Sequence, residues 1–266
     1  MLRHCELFGG IGGFSHAIAR HYSETIQTRA YCDIDKQAIA IYSNSFPEVP
    51  IYKDICTYHP QAGEFDLITC SFPCTGTSHA GRKTGLLHPE SALWREGLRI
   101  LCQVQPRYFI WEQPVGVIHR GLRAIIGGCR MAGYQTTGFT VAASDLGATH
   151  RRERLFLIAY LDHGQRHHPQ RWQDEVRRQA QKVRHHTPWL SVKPRSHGQL
   201  HGFSLGLIHA HHWAEAHPDF YLVPNGLRRR NDVRRLAGKS LTPAQATIAL
   251  HFIHWHSQEK TRQATG

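Results

Sequence analysis

The sequence predicts an α/β fold: a doubly wound, mostly parallel sheet with helices on both faces and a small basic region attached. Three observations predict it. Short apolar segments alternate with segments of helical spacing, the pattern of strands that cross over through helices. A glycine-rich turn, Gly9-Gly10-Ile11-Gly12-Gly13, stands directly between the first strand and the first helix. After Leu161 the alternation stops and the chain becomes rich in His, Arg, Gln and Pro.

In order, CELF reads as the first strand and FSHAIARHY as the first helix. TRAYCD is the second strand, KQAIAIYSNSF the second helix, VPIYKD the third strand and FDLITC the fourth. A helix over ESALWREGLRILCQV leads to the fifth strand, YFIWEQ. IHRGLRAIIGGCRMAGY reads as one further helix, and YQTTGFTVAA and RLFLIAYL as two late strands. Residues 162–218 have few apolar runs, and part of this stretch is expected to be irregular. Order returns in LTPAQATIALHFIHWH, where Thr242 suits a helix cap and Pro243 the first turn. Ala246, Ala249, Leu250, Phe252 and Ile253 then give this helix a broad apolar face that predicts packing back on the sheet. The expected division is a catalytic α/β domain at 1–161, a small basic region at 162–235, a returning helix at 236–256 and a tail at 257–266.

The chain of 266 residues carries a formal charge of +12, with a pI of about 9.7. The charge is concentrated in residues 151–235, in RRER, RHHPQR, RRQAQKVRHH, KPR and RRRNDVRR. Clustered cations of this kind predict a polyanion partner, because Lys and Arg neutralise phosphates and release counterions. Seven cysteines without a CxxC pair predict a reducing compartment. The 22 histidines show no ligand spacing, so no metal is expected. No apolar run approaches the roughly 20 residues of a membrane span. MLRHCELFGG runs into a strand without a basic-then-apolar leader, so a cytoplasmic protein is expected.

Glycines allow a backbone to turn sharply and approach a ligand closely. The second strand ends in Cys32-Asp33-Ile34-Asp35, which places a carboxylate where a ribose hydroxyl would lie. The third ends in Asp54-Ile55. These features point to an adenosine-type cofactor without separating a nicotinamide from S-adenosylmethionine. A phosphate-binding loop is not favoured, since no GK[ST] follows the glycines.

At the other end of the same sheet edge, Cys74 follows the fourth strand, Glu112 the fifth, and Arg152 and Arg154 precede the seventh. A cysteine there is either a small core residue or a nucleophile. A carboxylate and two cations at the same edge favour chemistry over packing.

ELFGGIGGF, FPCTGTSHAG, WEQP, THRRERLF and GKSLTPAQA, in that order, resemble the motifs of the C5-cytosine-specific DNA methyltransferase family. The resemblance implies a Rossmann-like fold, S-adenosyl-L-methionine as cofactor, double-stranded DNA as partner and a monomeric enzyme without metal. It makes Cys74 the nucleophile toward C6 of a flipped-out cytosine. Glu112 would bind N3 and the exocyclic amine, Arg152 the pyrimidine O2, and Arg154 would buttress the loop or a phosphate. Ser78 would touch a backbone phosphate. Phe8 would face the adenine or the sulfonium, Asp33 the ribose and Asp54 the adenine amine, with Ile34 stacking. Gly9, Gly10, Ile11, Gly12, Gly13, Ile55, Pro73, Trp94 and Ser240 complete the expected cofactor set. The basic stretch falls where the family keeps its target-recognition segment, with Arg228, Arg229 and Arg230 as phosphate contacts. The setting implied is a bacterial or phage-infected cell, with restriction-modification as one context.

Some positions depart from the family pattern. Gln113 stands for Asn, Pro114 for Val, His150 for Gln and Lys239 for Asn; Thr75 and Thr77 replace Gln and aromatic residues. No ninth motif is found. A catalytically silent DNA-binding relative and an RNA cytosine-C5 methyltransferase are the alternative readings. A dehydrogenase would leave Pro73-Cys74 without a role.

Overall fold

The computed structural model describes residues 1–76, 84–146, 148, 151–161, 169–185 and 241–264. Their elements run β1 (Leu2–Leu7), α1 (Gly13–His21), β2 (Ile26–Cys32), α2 (Lys36–Ser45), β3 (Ile51–Tyr52) and β4 (Leu67–Cys70). Then come α3 (Trp94–Val104), β5 (Tyr108–Pro114), α4 (Val117–Arg120), α5 (Leu122–Met131), β6 (Gln135–Ala142) and β7 (Glu153–Tyr160). The last two are α6 (Pro169–His185) and α7 (Pro243–Ala264).

The strands form one sheet in the order β3-β2-β1-β4-β5-β7-β6. β1 pairs in parallel with β2 and β4, and β4 with β5. β7 runs antiparallel to both β5 and β6 and is the one reversed strand of this sheet. The order changes direction at β1, whose neighbours are β2 on one side and β4 on the other. Such a switch point opens a crevice beyond the carboxyl ends of the strands.

Side chains alternate across the strands, so both faces are apolar and both carry helices. On one face Cys5, Leu7, Ile68, Phe109 and Trp111 pack with Ile100 and Leu101 of α3 and Ile125 and Cys129 of α5. On the other, Leu67, Tyr108, Ile110 and Ile158 pack with Phe14 and Ile18 of α1 and with Ala249, Leu250, Phe252 and Ile253 of α7. The last helix therefore returns to the sheet as its apolar face predicts. Thr242 Oγ1 accepts a hydrogen bond from Gln245 N at 3.3 Å, the expected cap.

Four details differ from the sequence reading. β3 is only two residues long. The helix expected over residues 118–134 breaks at Gly121, where an added side chain would strike that of Leu86. Residues Pro169–His185 form a helix that was not foreseen. Its Val176, Ala180 and Val183 pack against the second core, and Glu175 meets His251 of α7 at 2.7 Å. Finally, Glu112 and Arg154 lie within β5 and β7, inside the segments YFIWEQ and RLFLIAYL themselves, and not beside those strands as the reading of the site sets them.

Among the described residues no helix is long and apolar enough to cross a membrane, and no cluster of His, Cys, Asp or Glu could hold a metal.

Candidate active site

A cleft of about 640 Å³ lies beyond the carboxyl ends of β1, β2, β4 and β5. Phe8, Gly10, Asp33, Ile34, Asp54, Ile55 and Pro73 line it, and so do Cys74, Glu112 and Arg154.

One half is built by the glycine turn. Gly12 at φ +85° and Gly10 at φ +57° take left-handed conformations, and Phe8 joins them at φ +53°. A non-glycine residue there is strained and must be held by its surroundings. The holding is visible. Gly10 N donates to Asp33 Oδ2 at 2.8 Å, and Tyr31 Oη donates to Gly10 O at 2.5 Å. Tyr31 in turn stacks on Tyr42 of α2. Below the turn, the buried Glu6 carboxylate accepts from Phe14 N at 3.1 Å and Ser15 N at 3.0 Å, and also from the Ser15 hydroxyl. It thereby satisfies the free amides at the start of α1. Burial outweighs these donors and lifts the Glu6 carboxyl to about 7.

Asp33 also accepts from Asp35 N at 2.8 Å, and burial raises its carboxyl above the ordinary carboxylate range. Two aligned donors leave further lone pairs on the carboxylate for a diol. Ile34 is 74% exposed beside it, a large apolar surface with no core to cover it. A carboxylate next to a bare aliphatic face fits a ribose joined to a planar base. Asp54 Oδ1 caps Cys56 N at 2.9 Å. Arg99 of α3 clamps the same turn, donating from Nη2 to Ile55 O and Tyr58 O at 2.9 Å each. Gly9, Ile11, Gly12 and Gly13 shape the turn from outside the cleft wall. A side chain on Gly9 would strike Tyr31 and Glu6. Trp94 packs on the core, and its neighbour Leu93 reaches the cleft instead.

The other half gathers charge around a thiol. Arg154 Nε meets Glu112 Oε1 at 2.9 Å, with both side chains nearly buried. Their proximity follows from the reversed direction of β7, whose first residues lie beside the last residues of β5; Arg154 pairs with Pro114 and Phe156 with Glu112. Burial pushes the Cys74 thiol above its ordinary value, and the Glu112 carboxylate adds to that. The Arg154 and Arg152 cations oppose it. Arg152 does not line the cleft. It takes φ +31°, and burial followed by repulsion from Arg154 lowers its guanidinium below the usual value.

Four residues support this half through partners that the sequence does not show. Ser91, fully buried, donates to Pro73 O at 3.0 Å and accepts from Gly76 N at 3.0 Å, so one hydroxyl brackets Cys74 on both sides. Gly76 tolerates no side chain, because its α-carbon faces the carbonyl of Gly85. Gln113 Nε2 donates to Phe72 O at 2.6 Å, tying the strand of Glu112 to the loop of Cys74. Thr75 donates to Glu90. The motif S-A-L-W gives no warning that Ser91 faces a loop rather than a helix cap. Ser78, Ser240, Arg228, Arg229 and Arg230, with Thr77, His150 and Lys239, lie outside the described residues.

Sheet order and cleft define a Rossmann-like α/β architecture, a fold this chain shares with solved methyltransferases. The chain belongs to the C-5 cytosine-specific DNA methylase family, whose sequence model matches residues 2–254. It is 32% identical over 160 residues to the type II methyltransferase M.CviJI of Paramecium bursaria Chlorella virus IL3A, covering 59% of this chain and 42% of that one. It is 31% identical over 170 residues to M.BanI of Aneurinibacillus aneurinilyticus, covering 60% and 39%. The chain thus spans about two-fifths of the length of these relatives. In three dimensions it shares the fold of the Schizosaccharomyces pombe Dnmt2 methyltransferase, with a TM-score of 0.54, 22% identity and coverage of 74% of this chain and 57% of the other. Membership of this family and fold implies use of S-adenosylmethionine.

Proposed function

We propose that the protein is a DNA (cytosine-5)-methyltransferase that works through a covalent adduct at Cys74. One observation carries the reading: Cys74, Glu112 and Arg154 line the same cleft as Asp33 and Ile34. A nucleophile, a carboxylate and a cation therefore open onto the space suited to an adenosine group.

Bound S-adenosylmethionine would supply an electrophilic methyl. Asp33 would hold its ribose hydroxyls, the exposed face of Ile34 its adenine, and Asp54 the far side of that base. Cytosine C5 is a weak nucleophile until a thiolate adds to C6. Cys74 gives up its proton to water and forms the S–C6 bond, and the C5–C6 π electrons make C5 enamine-like and able to take the methyl. Water then takes the C5 proton, and the electrons of that bond restore the C5–C6 double bond and expel the thiolate. The resting thiol is held largely protonated by burial and by Glu112, and the two arginines ease its ionisation. Glu112 would hydrogen-bond N3 and the exocyclic amine as charge develops on the ring. Cleft position favours Arg154 over Arg152 for the pyrimidine O2. Arg152 would act from behind, through its field and its turn. The target base must leave the duplex, since C6 is inaccessible in the stack. The charge of +12 supplies the phosphate affinity that brings duplex DNA to the cleft.

The test is incorporation of labelled methyl from S-adenosylmethionine into DNA by purified protein, with bisulfite sequencing of DNA from expressing cells to read the site. Methylation of cytosine in RNA but not in DNA would overturn the substrate. Absence of any adduct with 5-fluorocytosine DNA would overturn the covalent route.

A further inference from the structure

We infer that Gln245 is a positioning residue for the arginine pair, holding the turn of Arg152 and the start of β7 so that Arg154 stays against Glu112. The inference rests on the cytosine chemistry proposed above. Gln245 is fully buried in the first turn of α7. Its Nε2 donates to Val141 O and to Arg152 O, each at 2.8 Å. Its Oε1 accepts from Thr242 Oγ1 at 2.9 Å. Both amide protons and the amide oxygen thus have partners, and the partners dictate which end is which, since two carbonyls require two N–H donors.

Helix capping does not explain this arrangement. The cap of α7 needs only the Thr242 hydroxyl and the Gln245 backbone amide. In a capping box the glutamine side chain would turn back to the cap residue's own N–H. Here the side-chain donors leave the helix and go to β6 and to the turn before β7, which precede it by about a hundred residues of chain.

What they grip matters. Arg152 has φ +31°, a conformation that a branched-off arginine adopts only when its neighbours enforce it. Its carbonyl receives Gln245 Nε2, while Ala143 N donates to the carbonyl of Arg151 at 2.8 Å. Val141 stands opposite Arg154 in the β6–β7 register. One amide therefore fixes the strained turn and the cross-strand partner of the residue that meets Glu112 at 2.9 Å. Without it the turn can relax, and the Arg154 guanidinium loses its fixed origin.

The experiment compares wild type, Gln245→Met, Gln245→Glu, Arg154→Lys and the double variant Gln245→Met/Arg154→Lys. Readouts are kcat for methyl transfer, the rate of adduct formation with 5-fluorocytosine DNA, S-adenosylhomocysteine dissociation and thermal melting. Gln245→Met should slow adduct formation and kcat by up to about 100-fold, as a misplaced catalytic group does, with ligand dissociation within about twofold. The loss should be strongly non-additive with Arg154→Lys, because both act through the same guanidinium. Gln245→Glu keeps the volume but sets a carboxylate against two carbonyls. It should be slower relative to wild type at pH 8 than at pH 6, where protonation restores one donor. A folded Gln245→Met with wild-type kcat, or losses that simply add, would overturn the inference while leaving the proposed function standing. If Gln245→Met melts below assay temperature, Gln245→Glu carries the test: a folded Gln245→Glu whose kcat equals wild type at both pH values overturns the inference. A wild type that forms no adduct counts against the cytosine chemistry itself and takes the inference with it.

Discussion

The two halves of the cleft are built differently. In the half suited to a cofactor, each functional group is held by backbone a few residues away or on the next strand: Asp33 by Gly10 N and Asp35 N, Asp54 by Cys56 N. In the reacting half, nothing is local. Cys74 is bracketed by Ser91, Glu112 is met by Arg154, and the Arg152 turn is gripped by Gln245. The first half is a property of a few turns. The second is a property of the assembled sheet, and its polar parts come from five separate stretches of chain.

The contrast predicts that substitutions in the reacting half will strike rate and those in the other half affinity. The largest effect belongs to Cys74→Ser, which should remove methyl transfer to below detection while S-adenosylhomocysteine binding persists. A hydroxyl is far less nucleophilic than a thiolate at neutral pH. Measured methyl incorporation equal to wild type would break the comparison at once. Glu112→Gln should lower kcat by about 100-fold to 10,000-fold, the usual worth of a positioned acid–base group, and should also loosen Arg154. Asp33→Ala should instead leave kcat at saturating cofactor near wild type and weaken cofactor binding about 10-fold to 100-fold, the value of hydrogen bonds to a charged group. Equilibrium dialysis with labelled S-adenosylmethionine reads the second; a kcat effect as large as that of Glu112→Gln would erase the distinction.

The same contrast decides what could be seen in the sequence. The glycine turn, Asp33 and Asp54 were legible because strand ends and turn chemistry are local. Cys74, Glu112 and Arg154 were legible as residues but not as geometry. Residue order does not reveal that β7 is reversed, and that reversal is what brings Arg154 to Glu112 and leaves Arg152 outside the cleft wall. Helix α6 was missed because its apolar stripe of Val176, Ala180 and Val183 is narrow amid charged neighbours. Ser91 and Gln245 were invisible for a simpler reason. A serine or glutamine near a helix start reads as a cap, and only the fold shows which distant carbonyl its side chain meets.

A thiol raised above its ordinary value makes the reacting half pH-dependent in one direction. Methyl transfer at saturating cofactor should climb as pH rises toward and past the ordinary thiol range of about 8.5, because the thiolate is the reactive form. A profile flat from pH 6.5 to 9 would mean that proton loss from Cys74 does not limit the rate.

The smallest predicted effect concerns stability beneath the cofactor half, where β1 carries two buried titratable groups of opposite sign. His4, bonded to the Thr28 and Thr69 hydroxyls, is lowered by burial to about 3. Glu6 is raised by burial to about 7. Below the ordinary histidine value of about 6.5 the unfolded chain gains a proton at His4 that the folded chain refuses, so His4 makes stability fall as pH falls. Above the ordinary glutamate value of about 4.3 the unfolded chain loses a proton at Glu6 that the folded chain keeps until about pH 7. Glu6 therefore makes stability fall as pH rises. Between about pH 4.5 and 6.5 the two slopes, each up to about 1.4 kcal/mol per pH unit, oppose each other and nearly cancel. Glu6→Gln removes one slope and leaves the other. The variant should lose on the order of 2 kcal/mol more than wild type on passing from pH 6.5 to 4.5, as His4 alone dictates. Urea denaturation at the two pH values reads this directly. Parallel pH dependence in wild type and Glu6→Gln would show that Glu6 is already ionised in the folded protein, held so by the amides of Phe14 and Ser15, and the glycine turn would then rest on a fixed charge instead of a titrating one.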